Sequence, residues 1–96
     1  MTPSYACRKD AAHDELSDIG RKLGFHVLDT WQMAQYIPGF PDAMWVIGDV
    51  TVLVEYKGPR GKLTWDERDF HTLWPGPIAI VRDLDDALRL REKYRR

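Results

Sequence analysis

Apolar positions at Ala12, Leu16, Ile19 and Leu23 recur at helical spacing and predict a first helix over residues 10–23, weakened at Gly20 and ended at Gly24. Phe25 to Thr30 is a short β-prone run. Residues 31–41 carry two prolines and a glycine near their end and predict a loop. Two further runs, Ala43–Ile47 and Val50–Val54, flank Gly48-Asp49, the glycine-and-polar turn of a two-residue antiparallel hairpin. Gly58 to Lys62 is expected to be a mobile basic loop. Thr64 and Glu67 have the spacing of a capping box, which opens a helix running to about Trp74 and stopped by Pro75-Gly76-Pro77. Ile78–Val81 is a buried-type strand, expected to lie parallel to an earlier one. A last helix starts near Asp83 and ends in a basic tail, Arg89–Arg96. The order is α-β-β-β-α-β-α, with no repeat or linker: one α/β domain over residues 1–96.

Composition narrows the picture. A chain of 96 residues that is 44% hydrophobic and 30% charged suits one ordinary globular domain with a modest core. Trp31, Trp45, Trp65 and Trp74 are expected to supply core bulk. A net charge of −1 removes the general argument from a strongly basic surface, so any nucleic-acid contact must come from local clusters. Cys7 is the single cysteine, which excludes an intrachain disulfide framework and a cysteine-rich zinc site. No apolar run approaches the ~18 residues of a membrane span, and the first ten residues lack a signal-peptide core. The expected location is cytoplasmic.

Register supplies the candidate chemistry. With Gly48-Asp49 as the turn, residue 47 faces 50, 45 faces 52, and Asp42 faces Glu55, with β-carbons about 4.5–5.5 Å apart. Lys57 projects from the same face. Two carboxylates at that distance repel by roughly 3 kcal/mol at an effective dielectric near 20. A fold tolerates them if a cation lies between them or one proton is shared. A solvated charge pair at an exposed hairpin end is the plainer alternative.

The order of elements, with Pro41-Asp42 opening one strand and Glu55-Tyr56-Lys57 ending its neighbour, resembles the PD-(D/E)XK nuclease superfamily. Gly39-Phe40-Pro41-Asp42, Val54 to Gly58, Lys62-Leu63-Thr64, Trp74-Pro75-Gly76 and Ile80-Val81-Arg82 resemble its VRR-NUC group, seen as small stand-alone phage-type proteins and as domains of repair nucleases. The group's eponymous Val-Arg-Arg ends Val-Arg-Asp here. The likeness covers roughly residues 10–90. It implies a restriction-endonuclease-like αβββαβ core with a mixed central sheet flanked by helices, plus a C-terminal helix.

The same resemblance implies Asp42, Glu55 and Lys57 as the catalytic set. Asp42, Glu55 and the backbone carbonyl of Tyr56 would hold Mg²⁺, with Mn²⁺ as a substitute, and Glu15 on the first helix is a further candidate acid. A hard divalent ion takes carboxylates plus water and substrate phosphate, and Lys57 would position the attacking water or stabilise developing charge. Arg60 and Lys62 could grip phosphates beside the scissile one, while for Arg21 and Lys22 a helix-dipole role also suffices. Glu67 stands where the family often has glutamine, so it is either a cap alone or a contact to the metal site. His71 shares its helix face, while His13 and His26 fit no pattern. The expected function is divalent-metal-dependent DNA cleavage with little sequence preference, selective for branched DNA such as a Holliday junction or flap. A homodimer would present two sites, and no small-molecule cofactor or membrane is expected. The alternatives are a nuclease-fold nucleic-acid-binding module of weak or no activity, and an interaction protein binding neither metal nor DNA.

Overall fold

A computed structural model describes residues 12–95. Residues 10 and 11 of the expected first helix, Cys7 and Arg96 lie outside that range. The elements are α1 (His13–Lys22), β1 (His26–Asp29), a 3₁₀ turn (Trp31–Gln35), β2 (Ala43–Ile47), β3 (Val50–Tyr56), α2 (Trp65–Leu73), β4 (Ile78–Val81) and α3 (Leu84–Tyr94). The protein is α/β, with a four-stranded mixed sheet in the order β1-β2-β3-β4. The first three strands are antiparallel, and β4 is parallel to β3. Two elements differ from expectation. Trp31–Gln35 coils into a 3₁₀ turn ahead of the prolines, and β3 continues to Tyr56 because its last residues pair with β4.

Strand alternation divides the sheet into two faces. Val27, Ala43, Trp45, Val52, Val54, Tyr56 and Val81 form the core face, packed by Leu16 of α1 and by Ala87 and Leu90 of α3. Gly20 belongs to this packing, since a β-carbon there would meet the Trp45 ring at 2.8 Å. The glycine that weakens α1 as an isolated helix is what lets α1 lie on the sheet's tryptophan.

Glu55 faces the opposite side, where α2 lies, held at its start by the expected capping box. The chain before β2 crosses the first turn of α2 at Gly39, whose φ is +82°, and a β-carbon at Gly39 would collide with the Asp66 carbonyl. Phe40 and Phe70 complete the crossing, with ring centroids 5.3 Å apart. Gly39→Ala combines left-handed backbone strain with a backbone clash and is expected to cost at least about 2 kcal/mol. The melting midpoint should fall by about 10 °C, as read by circular dichroism, and an unchanged midpoint would refute the close crossing.

The loop after Lys57 is not the free segment expected. Arg82 Nη1 donates to the carbonyls of Gly58 (2.6 Å) and Gly61 (2.8 Å), and Gly61 N–H closes a turn onto the Gly58 carbonyl. One amino group of the Arg82 guanidinium thus bridges two carbonyls of the glycine-rich loop and holds its turn closed. No helix among the described residues is long and apolar enough to cross a membrane.

Candidate active site

The hairpin register is the expected one: Ala43 faces Val54, Trp45 faces Val52 and Ile47 faces Val50, so the next pair outward is Asp42 with Glu55. Pro41-Asp42 is braced from β1, where Thr30 N–H donates to the Asp42 carbonyl (2.8 Å) and Thr30 Oγ1 donates to the Pro41 carbonyl (2.9 Å). The Asp42 carboxylate reaches across the hairpin, and its Oδ2 accepts the Tyr56 N–H at 2.8 Å.

Glu55 is 3% exposed and shares a hydrogen bond with the Asp42 carboxyl. Burial, then the charge and hydrogen bond of Asp42, then Glu67, push the Glu55 carboxyl up to about 10. Burial also raises Asp42, against the hydrogen bonds from Glu55 and the Tyr56 backbone that hold it down. Glu55 is therefore the protonated partner at neutral pH, with one O–H to donate to a neighbouring carboxylate. Its Oε1 is buried with no hydrogen-bond partner among the described residues.

Lys57 Nζ lies 2.8 Å from Glu67 Oε1 and 3.7 Å from Glu55 Oε2. Burial pulls the lysine pKa down, but the Glu67 hydrogen bond and the surrounding carboxylates outweigh it and raise it above the ordinary value. Glu67 itself is pushed up by burial and brought below its usual range by Lys57 and the Thr64 N–H. Glu67 is therefore not the cap alone that one reading expected. It closes the capping box, with Thr64 N–H to Oε1 at 2.9 Å, and the same oxygen meets Lys57. His71 lies close enough to feel both charges. Burial lowers its pKa, and its Nε2 is buried with no partner among the described residues.

The remaining candidates divide. Arg60 and Lys62 are exposed on the loop that Arg82 pins beside the end of β3. Glu15 is exposed, and the α1 side chains turned inward are His13, Leu16 and Ser17, so the structure does not bring Glu15 to the site. Helical geometry sets Glu15 about 200° around the axis from His13. Arg21 and Lys22 are also not at the site. The His13 end of α1 touches Asp29 at the site end of β1, whereas Arg21 and Lys22 stand in the last turn, toward the opposite edge of the strands. There they complement the helix dipole, and Arg21 pairs with Asp18 at 3.2 Å.

Sequence reasoning missed a buried polar chain behind the site. Trp45 Nε1–H donates to the Tyr56 hydroxyl (2.9 Å), which lies 2.8 Å from Ser17 Oγ. Ser17 Oγ donates to Asp29 Oδ1 (3.3 Å), and His13 Nε2 lies 2.9 Å from the same oxygen. Because the Ser17 hydrogen goes to Asp29, the Tyr56 hydroxyl is the donor to Ser17. His13 packs edge-on against the Tyr56 ring. These contacts tie α1 to the last residue of β3, whose backbone carries the Asp42 contact and the expected carbonyl ligand. The available signal was His13 and Ser17 spaced i, i+4 on the face of Gly20.

Among the described residues, no group of three or more His, Cys, Asp or Glu side chains is arranged to hold a metal ion. The smaller donor set of Asp42, Glu55 and the Tyr56 carbonyl nonetheless suits a hard cation. All its donors are oxygens, the two carboxyls crowd each other, and a buried Glu55 oxygen lacks a partner. Comparison with family models, curated proteins and solved structures gave no match to this chain.

Proposed function

We propose that this protein is a divalent-metal-dependent DNA endonuclease with a nuclease-type αβββαβ core of the VRR-NUC kind. The observation that supports this reading most is the convergence of Asp42, Glu55 and Lys57 on one face at the end of the central hairpin. A buried pair of crowded carboxyls beside a lysine is costly to maintain, and pairs of this kind concentrate at functional sites. Asp42, Glu55 and the Tyr56 carbonyl would hold Mg²⁺ or Mn²⁺. Such an ion, when bound, supplies Lewis-acid stabilisation of phosphoryl charge and activates a water.

The protein's own groups do the rest. Asp42 is oriented by the Tyr56 N–H, and Glu55 holds the proton of the pair, which it would release to solvent on binding a cation. Lys57, kept protonated by Glu67, offers a positive charge to a phosphoryl oxygen. Arg60 and Lys62 contact flanking phosphates without reading bases, so selectivity rests on DNA structure. The test is incubation of a four-way junction, a flap and a linear duplex with and without Mg²⁺. Branched substrates should be cut only with metal, and absence of cleavage under all conditions would overturn the reading.

The grip of Glu67 on Lys57 at 2.8 Å favours a second reading, a nuclease-fold nucleic-acid-binding module of weak activity. Metal binding separates neither reading from the other, but it tests the site common to both. Millimolar Mn²⁺ should raise the melting temperature by several degrees. The rise should be larger at pH 8 than at pH 6, because the cation displaces a proton from Glu55. No shift at either pH would refute the carboxylate pair as a cation site.

A further inference from the structure

We infer that Arg82 is a positioning residue for cleavage: by clasping the 58–61 turn it sets both the direction of Lys57 and the place of the two loop cations. The inference rests on the nuclease reading of the site. Arg82 directly follows β4, and the parallel pairing of β4 with β3 brings it level with Lys57, whose N–H donates to the Val81 carbonyl at 3.3 Å. Its backbone is also held from α3, where the Arg82 N–H donates to Asp86 Oδ2 at 2.9 Å. The side chain therefore leaves a fixed point, and one nitrogen, Nη1, gives its hydrogens to the carbonyls of Gly58 and Gly61. A guanidinium is planar and always charged, so the clasp is not lost by titration.

The clasped turn touches the chemistry in two places. Gly61 lies against the aliphatic stem of Lys57, since a β-carbon at Gly61 would stand 3.3 Å from both Cβ and Cδ of the lysine. The far end of the same side chain meets Glu67 at 2.8 Å and Glu55 at 3.7 Å. Holding a lysine in one direction costs rotamer freedom, and a turn already packed along its stem has removed much of that freedom in advance. The turn also carries Arg60 and leads into Lys62, both exposed. With glycine at 58 and 61, an unclasped turn would sample many conformations. Each phosphate contact would then bear the cost of ordering it. The hydrogen bonds of the Arg82 side chain go to backbone carbonyls, so Arg82 acts through the turn.

The test is Arg82→Met, which keeps an unbranched stem and the backbone bond to Asp86 but removes the clasp. Trypsin reads the turn without DNA, because it cuts after Lys57, Arg60 and Lys62. The variant should be cut there about 10-fold faster than the parent, with an unchanged circular dichroism spectrum. Single-turnover cleavage of a four-way junction with Mg²⁺ should fall about 10–100-fold, while the Mn²⁺-induced rise in melting temperature stays the same. Arg82→Lys, which keeps a charged donor, should recover part of the loss. Replacing Arg60 and Lys62 together by alanine should weaken junction binding about 10-fold in the parent and less than about 3-fold in the Arg82→Met chain. Gly61→Ala leaves the clasp in place but presses a methyl onto the Lys57 stem, so it should slow cleavage roughly 10-fold at unchanged junction affinity. A parent that cuts no DNA with Mg²⁺ defeats the nuclease reading, while trypsin and the binding cycle still decide whether Arg82 orders the turn. Equal trypsin resistance in parent and Arg82→Met, a full cleavage rate in that variant, or an additive binding cycle would each overturn the inference.

Discussion

Lys57→Ala is expected to lower metal-dependent cleavage of branched DNA by about 10²–10⁴-fold, the range for losing a positioned proton-transfer or charge-stabilising group. The fold should survive, because Lys57 lies at the end of β3 outside the core face and the strand pairing does not use its side chain. Mn²⁺ affinity should change little, since the donors are Asp42, Glu55 and a backbone carbonyl. Single-turnover cleavage alongside calorimetric metal binding separates the two effects, and a variant that cuts at the parent rate removes Lys57 from the mechanism. Glu67→Gln sharpens the test. Its amide oxygen can still accept the Thr64 N–H and preserve the cap, while the charge holding Lys57 is gone. Where Glu67 restrains the lysine, this variant cleaves faster than the parent. Where Glu67 serves the reaction by keeping Lys57 protonated, it cleaves more slowly.

Glu55→Gln should stabilise the protein near neutral pH while abolishing metal binding and cleavage. The Glu55 carboxyl titrates near 4.5 when unfolded and near 10 in the fold. Between those values the folded state holds a proton that the unfolded state has released. Stability from this group is complete below about pH 4.5 and is lost as pH rises toward 10. A glutamine carries the same shape with no proton to lose, so the variant's stability should be flatter from pH 5 to 9. A gain of about 1–3 kcal/mol at pH 8 is expected from removing a buried group that must stay protonated against solvent. That corresponds to a melting midpoint higher by several degrees or more. Denaturation at pH 5, 7 and 9 checks it, and a parent protein whose stability rises from pH 5 to 9 would refute the assigned protonation of Glu55.

The two predictions draw on features of different legibility. The hairpin register was readable because Gly48-Asp49 permits only a short reversal, and a two-residue loop leaves one pairing between the flanking apolar runs. Asp42 opposite Glu55 followed by counting. The capping box was readable for a similar reason, being a contact within four residues. Glu67 shows where such reading stops. Its cap was local, but its contact with Lys57 depends on α2 crossing the sheet at an angle set by the Gly39 backbone against Asp66.

Other expectations failed for tertiary reasons. Trp45 is fully buried as expected, yet Trp65 is largely exposed and Trp74 partly so, because α2 presents its apolar side outward. Composition counts tryptophans without saying which face of a helix they occupy. Glu15 and His13 show the same limit. Two residues apart on a helix, they lie on nearly opposite sides, and the packing of Gly20 on Trp45 selects the side of His13.

By itself the sequence determined the element order, the antiparallel hairpin, the helix caps and the pairing of Asp42 with Glu55. All of these rest on interactions between residues close along the chain, or on a periodicity that no distant residue can alter. Only the tertiary structure decided which side of α1 faces the sheet, that Arg82 pins the loop after Lys57, that Glu67 joins the site, and that α2 leaves its aromatic face uncovered. Those outcomes depend on contacts between residues far apart in the chain. Such contacts are set by how whole elements pack, so no local pattern carries them.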